Sequence, residues 1–280
     1  MIGKSAKEKK VLWGAEMAMV FQDPMTSLNP VVTSGRQITE HIRYHLGMSR
    51  KDAAEVAVAR LKSVLIPEEV TRLSNYPHQM SGGMRQRVCI AVALACGPRM
   101  LFADEPTTAL DVTVQHQILN LLAEQQRDRA MAMILVTHDL GVVAGRTDEI
   151  MVMYAGKVAV KAPTAKLFSE MRHPYTQGLL WSIPKVTQAK RTRLNAIPGR
   201  PPNLIDPPPG CKFAPRCAYA QDICRSEEPE LRSIDSDDHV FACHFPVGTP
   251  EGDEAVERNI AAAFPPALAA VGKLRASEEV

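Results

Sequence analysis

The sequence predicts an α/β fold with a parallel sheet, a helical subdomain and a small cysteine-containing extension at the C-terminal side. Three observations support this prediction. Short apolar segments alternate with helical patterns over residues 98–160, which is typical of parallel strands joined by helices. Residues 35–97 place apolar residues at helical spacing. Four cysteines follow a proline-rich stretch after residue 198.

Composition is that of an ordinary globular protein. Of the 280 residues, 45% are hydrophobic and 23% are charged, and the formal net charge is +2. Such a small, scattered charge excludes the basic surface that nucleic-acid binding requires. The longest uncharged apolar runs, Val88–Cys96 and Met131–Val136, are far shorter than the roughly 20 residues that span a bilayer, and no signal-peptide pattern is present. We therefore expect a soluble chain that reaches a membrane only through partner subunits.

The elements follow in chain order. The first strand, Glu16–Phe21, brings Gln22 to its end, and the Asp-Pro and Asn-Pro pairs that follow indicate turns. The helical subdomain spans about 35–97, where one helix face is apolar through Ala53, Ala54, Ala57, Val58, Leu61 and Val64/Leu65. The remaining predicted elements are a strand at Met100–Ala103, a helix at Thr113–Arg129, a strand at Met131–Thr137, and a hairpin of Ile150–Tyr154 and Lys157–Val160 around Ala155-Gly156.

Polar side chains follow the predicted strands where each strand ends. Gln22, Asp104, Glu105 and His138 all lie just beyond strand C-termini, where ligands bind in parallel sheets. Adjacent carboxylates suit two tasks, because Asp104 can hold magnesium while Glu105 polarises an attacking water. Taken alone, the two acids are also compatible with a strand that ends at an acidic helix cap, and a single histidine after a strand is more often a cap than a catalytic group. Their grouping favours one site.

These motifs resemble the nucleotide-binding subunits of ATP-binding cassette (ABC) transporters. The resemblance lies in Ser81-Gly82-Gly83-Met84-Arg85-Gln86, Asp104-Glu105-Pro106-Thr107, Ala109-Leu110-Asp111 and Thr137-His138-Asp139, in the family's order and spacing. Residues 20–30 resemble the glutamine loop of the oligopeptide and dipeptide importer branch, and residues 173–184 resemble that branch's C-terminal region. The resemblance covers about residues 11–246 and implies a P-loop NTPase-like ABC cassette.

The resemblance also implies cofactors and residue roles. With ATP and Mg²⁺ bound, Asp104 would hold the metal, Glu105 would orient water, Gln22 would sense magnesium and water, and His138 would contact the γ-phosphate. Nucleotide binding is assigned to Ser81, Gly82, Gly83, Gln86 and Asp111. In cassette dimers the Ser-Gly-Gly stretch of one subunit faces the partner's ATP, where glycines let backbone N–H groups approach the phosphate closely.

The family further implies partners and a location. We expect a second ABC ATPase subunit, two transmembrane permease subunits, an extracellular solute-binding protein that acts indirectly, and no nucleic acid. The exposed face of the helical subdomain is expected to contact the permeases. This arrangement places the chain at the cytoplasmic face of the cell membrane, where it would couple ATP hydrolysis to peptide uptake.

One part of the family's pattern is absent from these 280 residues. No G-x-x-x-x-G-K-S/T phosphate loop occurs, and Gly3-Lys4-Ser5 matches only the last three positions of such a loop. We therefore expect the sequence to begin inside the cassette, so that Walker A is missing. The alternatives are a subunit that only completes the partner's ATP site, and a truncated gene product.

The predicted boundaries are a partial cassette over 1–184, an extension over 185–247, and a flexible tail over 248–280. The extension contains Cys211, Cys217, Cys224 and Cys243, whereas Cys89 and Cys96 lie in apolar helical context and are interpreted as buried hydrophobes. Free thiols, zinc and an iron–sulfur cluster are all compatible with the four clustered cysteines. The absence of a Cys-x-x-Cys pair disfavours zinc, and a reducing cytosol disfavours disulfides. The resemblance favours a 4Fe-4S cluster, which some members of this branch hold with four thiolates.

Overall fold

The computed structural model describes residues 3–108, 110–183, 196–234 and 238–270. Ala109, Pro184, residues 185–195 of the predicted extension and residues 271–280 of the predicted tail lie outside the described residues. The chain divides into two compact units, Met1–His138 and Asp139–Val280. The sequence-based boundary at 184 therefore differs from the observed one. The hairpin assigned to the cassette pairs with a strand of the cysteine-containing segment, and this pairing puts both in the second unit.

The first unit is a three-stranded parallel sheet covered by helices. Its strands are β1 (Met17–Val20), β2 (Met100–Asp104) and β3 (Ala132–Val136), in the spatial order β1-β2-β3. Its helices are α1 (Ala6–Leu12), α2 (Pro24–Ser27), α3 (Ser34–Leu46), α4 (Arg50–Ser63), α5 (Glu69–Arg72), α6 (Gly82–Ala93) and α7 (Val112–Asp128), with a 3₁₀ turn at Pro77–Gln79. The register pairs Val20 with Ala103 and Asp104 with Val136, so all three strands end at one edge.

The helical subdomain forms as its periodicity predicts. On α4 the residues at four-residue spacing, Ala53, Ala57 and Leu61, are fully buried. Ser49 caps this helix, because its side chain accepts a hydrogen bond from the Asp52 N–H. Leu65 departs from the predicted apolar face: it is exposed and has a positive φ of 57°, which turns the chain after the helix.

The second unit contains an antiparallel sheet and short helices. Its strands are β4 (Glu149–Tyr154), β5 (Lys157–Pro163), β6 (Leu231–Arg232) and β7 (Val240–Ala242), in the order β4-β5-β7-β6. Its helices are α8 (Leu140–Val143), α9 (Thr164–Ser169), α10 (Pro174–Ser182), α11 (Asp222–Ser226) and α12 (Pro250–Ala261), with a 3₁₀ turn at Ala214–Arg216. The predicted hairpin is confirmed, and its two turn residues, Ala155 and Gly156, both have positive φ, as in a two-residue hairpin turn.

Helix α12 lies in the segment that the sequence predicts as a flexible tail. Thr249 caps it by accepting a hydrogen bond from the Gly252 N–H, and Ala255 and Val256 are buried. Val256 joins a hydrophobic cluster that includes Cys217 and Cys224, with Ile260 packed against it. Residues 250–261 are thus part of the second unit's core, because their apolar side chains recur at helical spacing. Among the helices of the described ranges, none combines the length and the apolar composition needed to cross a membrane.

Candidate nucleotide site and thiol centre

The first site is centred on the Glu105 carboxylate at the C-terminal edge of the parallel sheet. Gln22 Nε2 donates to Glu105 Oε2 at 2.8 Å, and Thr108 Oγ1 donates to the same oxygen at 2.8 Å. His138 Nδ1 lies 2.9 Å from Glu105 Oε1. Parallel strands end at one edge of a sheet, so residues far apart in sequence meet here. The predicted grouping of Gln22, Glu105 and His138 is therefore present in the fold.

These neighbours keep Glu105 ionised. The hydrogen bond with His138, and then the one from Thr108, hold the pKa of the Glu105 carboxyl below its ordinary value. The Glu105 side chain is 22% exposed, whereas that of His138 is 72% exposed. A carboxylate oxygen can accept more than one hydrogen bond, so Glu105 retains capacity to orient a water molecule.

The Glu105 backbone is held in a conformation that non-glycine residues seldom adopt. Its φ is 42°, and its N–H donates to the Val136 carbonyl at 2.9 Å. A residue of this kind persists only where its surroundings fix it, and such residues cluster at functional sites. The turn separates the adjacent acids, since Asp104 completes β2 and pairs with Val136, whereas Glu105 has left the strand. A single carboxylate such as that of Asp104 is a usual protein ligand for Mg²⁺, which keeps waters and phosphate oxygens as its other ligands.

The Ser-Gly-Gly stretch forms the exposed N-terminus of α6. Ser81 is the N-cap, because its Oγ accepts a hydrogen bond from the Met84 N–H at 3.3 Å. Gly82 begins the helix, and a Cβ added there would lie 3.9 Å from its nearest neighbour, Leu110. At Gly83 a Cβ would lie only 2.9 Å from Val114 Cγ1. Gly83 thus permits close packing against α7, while Gly82 leaves backbone N–H groups open to an anion.

Two predicted nucleotide ligands have other positions. Gln86 is 1% exposed, so it lies inside the first unit and does not reach the surface formed by Ser81 and Gly82. The role of Gln86 in nucleotide binding, predicted from the motif, stays a prediction. Asp111 is exposed and caps α7, since its Oδ1 accepts from the Val114 N–H at 3.0 Å.

Comparison with known proteins decides the family. A family profile described as "ABC transporter" matches residues 2–108, and one described as "Oligopeptide/dipeptide transporter, C-terminal region" matches residues 161–224. The dipeptide transport ATP-binding protein DppD of Escherichia coli (strain K12) is 51% identical over 243 residues, which are 87% of this chain and 74% of that protein. DppD of Haemophilus influenzae is 48% identical over 242 residues, or 86% and 72% of the two chains. The chain belongs to the ABC transporter ATPase family.

Solved structures agree with this family. The dimeric post-hydrolysis structure of the ATP-binding cassette MJ0796, bound to ADP and Pi, is 27% identical, with a TM-score of 0.52 over 58% of this chain and 68% of that one. CbiO1 of Clostridium perfringens has the same identity and TM-score, over 59% and 64% of the two chains. The predicted α/β cassette fold is confirmed. As an ABC ATPase of the dipeptide/oligopeptide importer type, the chain is an ATP-hydrolysing subunit that uses ATP and Mg²⁺.

The second site of this ABC subunit is a thiol centre in the second unit. Cys211, Cys217, Cys224 and Cys243 all line one small cavity of about 10 Å³, together with aromatic side chains that include Phe213, Tyr219 and Phe245. All four are free cysteines. In the described part of the chain, no three or more His, Cys, Asp or Glu side chains stand in an arrangement that could hold a metal ion. The fold thus places the four thiols around one cavity, but not in the geometry of metal ligands.

Backbone groups hydrogen-bond all four sulfurs, and the bonds to three of them follow a repeated pattern. The Tyr219 N–H donates to Cys217 Sγ at 3.4 Å, and the backbones of Phe213 and Phe245 hydrogen-bond the thiols of Cys211 and Cys243. In each case the donor lies two residues after the cysteine and is aromatic. This Cys-x-aromatic spacing is visible in the sequence and could have marked the centre beyond the cysteine count.

Burial keeps the thiols protonated in the absence of a cation. It raises the pKa of Cys243 to about 12 and that of Cys217 well above its ordinary value, and the neighbouring thiols add to both shifts. The pKa values of Cys211 and Cys224 are raised by the same cause. Four thiolates so close together require a positive charge among them, which a bound metal supplies.

Proposed function

We propose that this chain powers the import of short peptides by hydrolysing ATP at the Glu105 site. The supporting observation is the ionised Glu105 carboxylate, held at the edge of the parallel sheet by Gln22, Thr108 and His138. In this proposal Asp104 binds Mg²⁺, Glu105 orients the attacking water and Gln22 senses both. The exposed His138 ring contacts the γ-phosphate. The dipeptide transport function of DppD supports peptides as the solute.

Replacing one carboxylate tests this function. Glu105→Gln, measured in the transporter assembled with its permease subunits, should retain ATP binding and lower the hydrolysis rate by about 10²-fold or more, as expected when a group that orients or deprotonates water is removed. Glu55→Gln on the exposed side of α4 is the matched control and should leave the rate unchanged. An unaltered rate in Glu105→Gln would contradict catalysis at this site.

The alternative function is a subunit that only completes the partner's ATP site, and the exposed N-terminus of α6 supports it. In this alternative the chain completes a partner's ATP site through Ser81 and Gly82, while Glu105 hydrolyses nothing. The Glu105→Gln experiment separates the two functions, since only the first requires its carboxylate.

Both functions include a second ATPase subunit. The relative MJ0796 is described as a dimeric cassette, which supports such pairing, and the open N-terminus of α6 offers N–H groups for the partner's phosphate. Gly82→Asp should abolish uptake because its carboxylate repels that phosphate. The variant should still fold, because a Cβ fits at this position and an acidic residue in the first turn stabilises the helix. Gly82→Asn has the same size without the charge. Equal uptake by the two variants would exclude the shared site.

We further propose that two permease subunits bind the helical subdomain and hold the chain at the cytoplasmic face of the membrane. Large apolar side chains are exposed in this subdomain and just before it, among them Tyr44 on α3, Met25 on α2 and Val31 between the two helices. The solute-binding protein would then act on the permeases from outside. The double variant Met25→Glu, Tyr44→Glu should no longer copurify with the permeases. The control Ile205→Glu, in the second unit, should still copurify. Equal recovery of both variants with the permeases would contradict this contact surface.

The thiol centre is proposed to hold a 4Fe-4S cluster through Cys211, Cys217, Cys224 and Cys243. The shared cavity and the backbone hydrogen bonds to sulfur support this proposal. Cluster binding would require the thiols to move, since in the described residues they do not stand in an arrangement that holds a metal ion. When bound, the cluster would cross-link a segment that has a small core of its own.

Anaerobic purification followed by metal analysis tests the identity of this centre. Iron with acid-labile sulfide in a brown protein is the expected result, and stoichiometric zinc in a colourless protein would replace the cluster by a tetrahedral zinc site. Absence of both metals from protein expressed with iron and sulfur supply would mean that the four residues are ordinary thiols.

A further inference from the structure

The proline-rich segment of the second unit carries an exposed apolar tip, residues 203–206. Ile205 is 93% exposed and is the most exposed large apolar side chain in the described part of the chain. Its neighbour Leu204 is 65% exposed. Both lie outside the nucleotide site and the thiol centre. Isolated exposed apolar residues are common on protein surfaces, so the surroundings of this pair decide whether it binds a partner.

Local structure holds the tip in its exposed position. The Ile205 N–H donates to Asn203 Oδ1 at 3.0 Å, an Asx turn that bends the chain at the tip. Pro201 and Pro202 precede the tip and residues 207–209, all proline, follow it, so φ is restricted on both sides. A loop that is ordered before binding loses little conformational entropy on binding. The tip can therefore dock without refolding.

A cavity of about 310 Å³ lies at the base of the same loop, at the lower end of the volumes of binding pockets. Asn203 and Asp206 of the tip are part of its lining, so the tip and the cavity form one surface patch. Leu204 and Ile205 do not line it, and the cavity is therefore open to an apolar side chain from elsewhere. The prolines that line the cavity are Pro202, Pro207, Pro208, Pro209 and Pro215.

The patch also holds one unpaired charge of each sign. Arg200 and Asp206 both line the cavity and are exposed, and neither forms an ion pair with another residue of the described ranges. The other two cations of the lining are engaged within the chain. Lys212 lies 3.8 Å from the Glu228 carboxylate, and Arg216 donates to two backbone carbonyls. A partner should thus offer an apolar side chain flanked by one acid and one base.

We propose that this patch, residues 198–216, binds the same patch on a second copy of the chain. A projecting apolar tip, an apolar cavity and one free charge of each sign make the patch complementary to itself, as a two-fold symmetric interface requires. In this pair Ile205 of each copy enters the cavity of the other, and Asp206 of each copy faces Arg200 of the other. The pairing involves the second unit alone and does not rest on the function proposed above.

Sedimentation velocity of the full chain without nucleotide, over a range of concentrations, measures this association. The wild type should form dimers as its concentration rises. Ile205→Lys should raise the dissociation constant by about tenfold or more, because it removes the central apolar contact and places an ammonium group beside the arginines of the cavity. Ile234→Lys is the matched control, since Ile234 also lies in the second unit, is 51% exposed and does not line the cavity.

Exchanging the two charges tests which groups face each other. Arg200→Asp and Asp206→Arg should each weaken association, because like charges then meet twice across the interface. A mixture of these two single variants should form dimers again, since every facing pair has opposite signs once more. The double variant Arg200→Asp, Asp206→Arg should recover association with itself for the same reason.

Three outcomes would overturn the proposal. The first is a wild type that stays monomeric at every concentration, and the second is equal association of Ile205→Lys and Ile234→Lys. The third is a mixture of the two charge variants that associates no better than either variant alone. A monomeric wild type together with loss of permease copurification in Ile205→Lys would instead assign the tip to the permeases.

Discussion

At the scale of single residues, Thr108 is the group at the nucleotide site that sequence patterns did not identify. Its hydroxyl lies one turn beyond Glu105 and donates to the same carboxylate oxygen as Gln22. This donor stabilises the ionised carboxylate and contributes to its lowered pKa. Thr108 therefore acts through Glu105 and is a positioning residue.

Removing this donor gives a pH-dependent prediction. Thr108→Ala should raise the pKa of Glu105 towards its ordinary value, because a hydrogen bond to the charged form is lost. The acid limb of the pH profile of kcat/KM for ATP should therefore move to higher pH, with a smaller change at neutral pH where the carboxylate stays ionised. Thr108→Ser keeps the hydroxyl and should retain the wild-type profile. Coincident acid limbs for the Ala and Ser variants would show that this hydrogen bond does not tune Glu105.

At the scale of elements, α10 begins at a buried histidine. The imidazole of His173 accepts a hydrogen bond from the Tyr175 N–H at 3.1 Å and also bonds the backbone of Ala242, the last residue of β7. The residue is 4% exposed, and burial lowers its pKa from 6.5 to about 4. The sequence motif containing His173 thus serves to connect a helix cap with the sheet of the second unit.

This burial makes the second unit sensitive to acid. Between pH 6.5 and about 4, His173 binds a proton in the unfolded chain but not in the folded chain. The free energy of unfolding therefore falls as pH decreases through this window, and His173 does not change it above pH 6.5. The loss should reach about 3 kcal/mol at the lower end. His173→Asn keeps a cap acceptor, cannot titrate, and should remove this part of the acid sensitivity.

Urea unfolding of the metal-free protein at several pH values, followed by Trp181 fluorescence in a Trp13→Phe background, measures this effect in the second unit. These are the two tryptophans of the sequence, so the signal comes from α10 alone. If wild type and His173→Asn lose stability equally between pH 6.5 and 4, another group is responsible.

At the scale of the whole molecule, the two units differ in what forms their cores. The core cluster of the first unit is built mainly of aliphatic side chains from its helices and its sheet, such as Ile38, Leu61 and Leu101. The buried cluster around the thiol centre is small, and Cys217 and Cys224 are themselves members of it. A small core gains stability from a cross-link, so the state of the thiols should affect the second unit more than the first.

Loss of the proposed metal centre should therefore loosen one unit alone. Cys217→Ser, or removal of metal by a chelator, should increase protease cleavage within residues 196–270 several-fold and leave the peptides of residues 16–137 protected. Cys96→Ser in the first unit is the control and should change neither pattern. Limited proteolysis with mass mapping gives both readouts in one experiment; equal protection of wild type, chelator-treated protein and Cys217→Ser would show that the thiols do not stabilise the segment.

The sequence by itself determined the family, the strands that carry Gln22, Glu105 and His138, the helical subdomain and the β4–β5 hairpin. These features depend on local patterns, namely apolar periodicity, turn residues and motif spacing, which residues within a few positions of one another establish. The shared edge of the parallel sheet then follows from strand direction, and the grouping of the site residues follows with it.

Only the tertiary structure decided which motif residues face the site. Gln86 is buried because the helix turns it inward. Thr108 reaches Glu105 because the Glu105 backbone leaves the strand with a positive φ. Helix α12 packs on the thiol centre, although its sequence is polar at the start. The same holds for the unit boundary at His138, since β5 pairs with a strand some 80 residues later in sequence. Contacts between distant residues set these outcomes, and a one-dimensional pattern does not contain the geometry of such contacts.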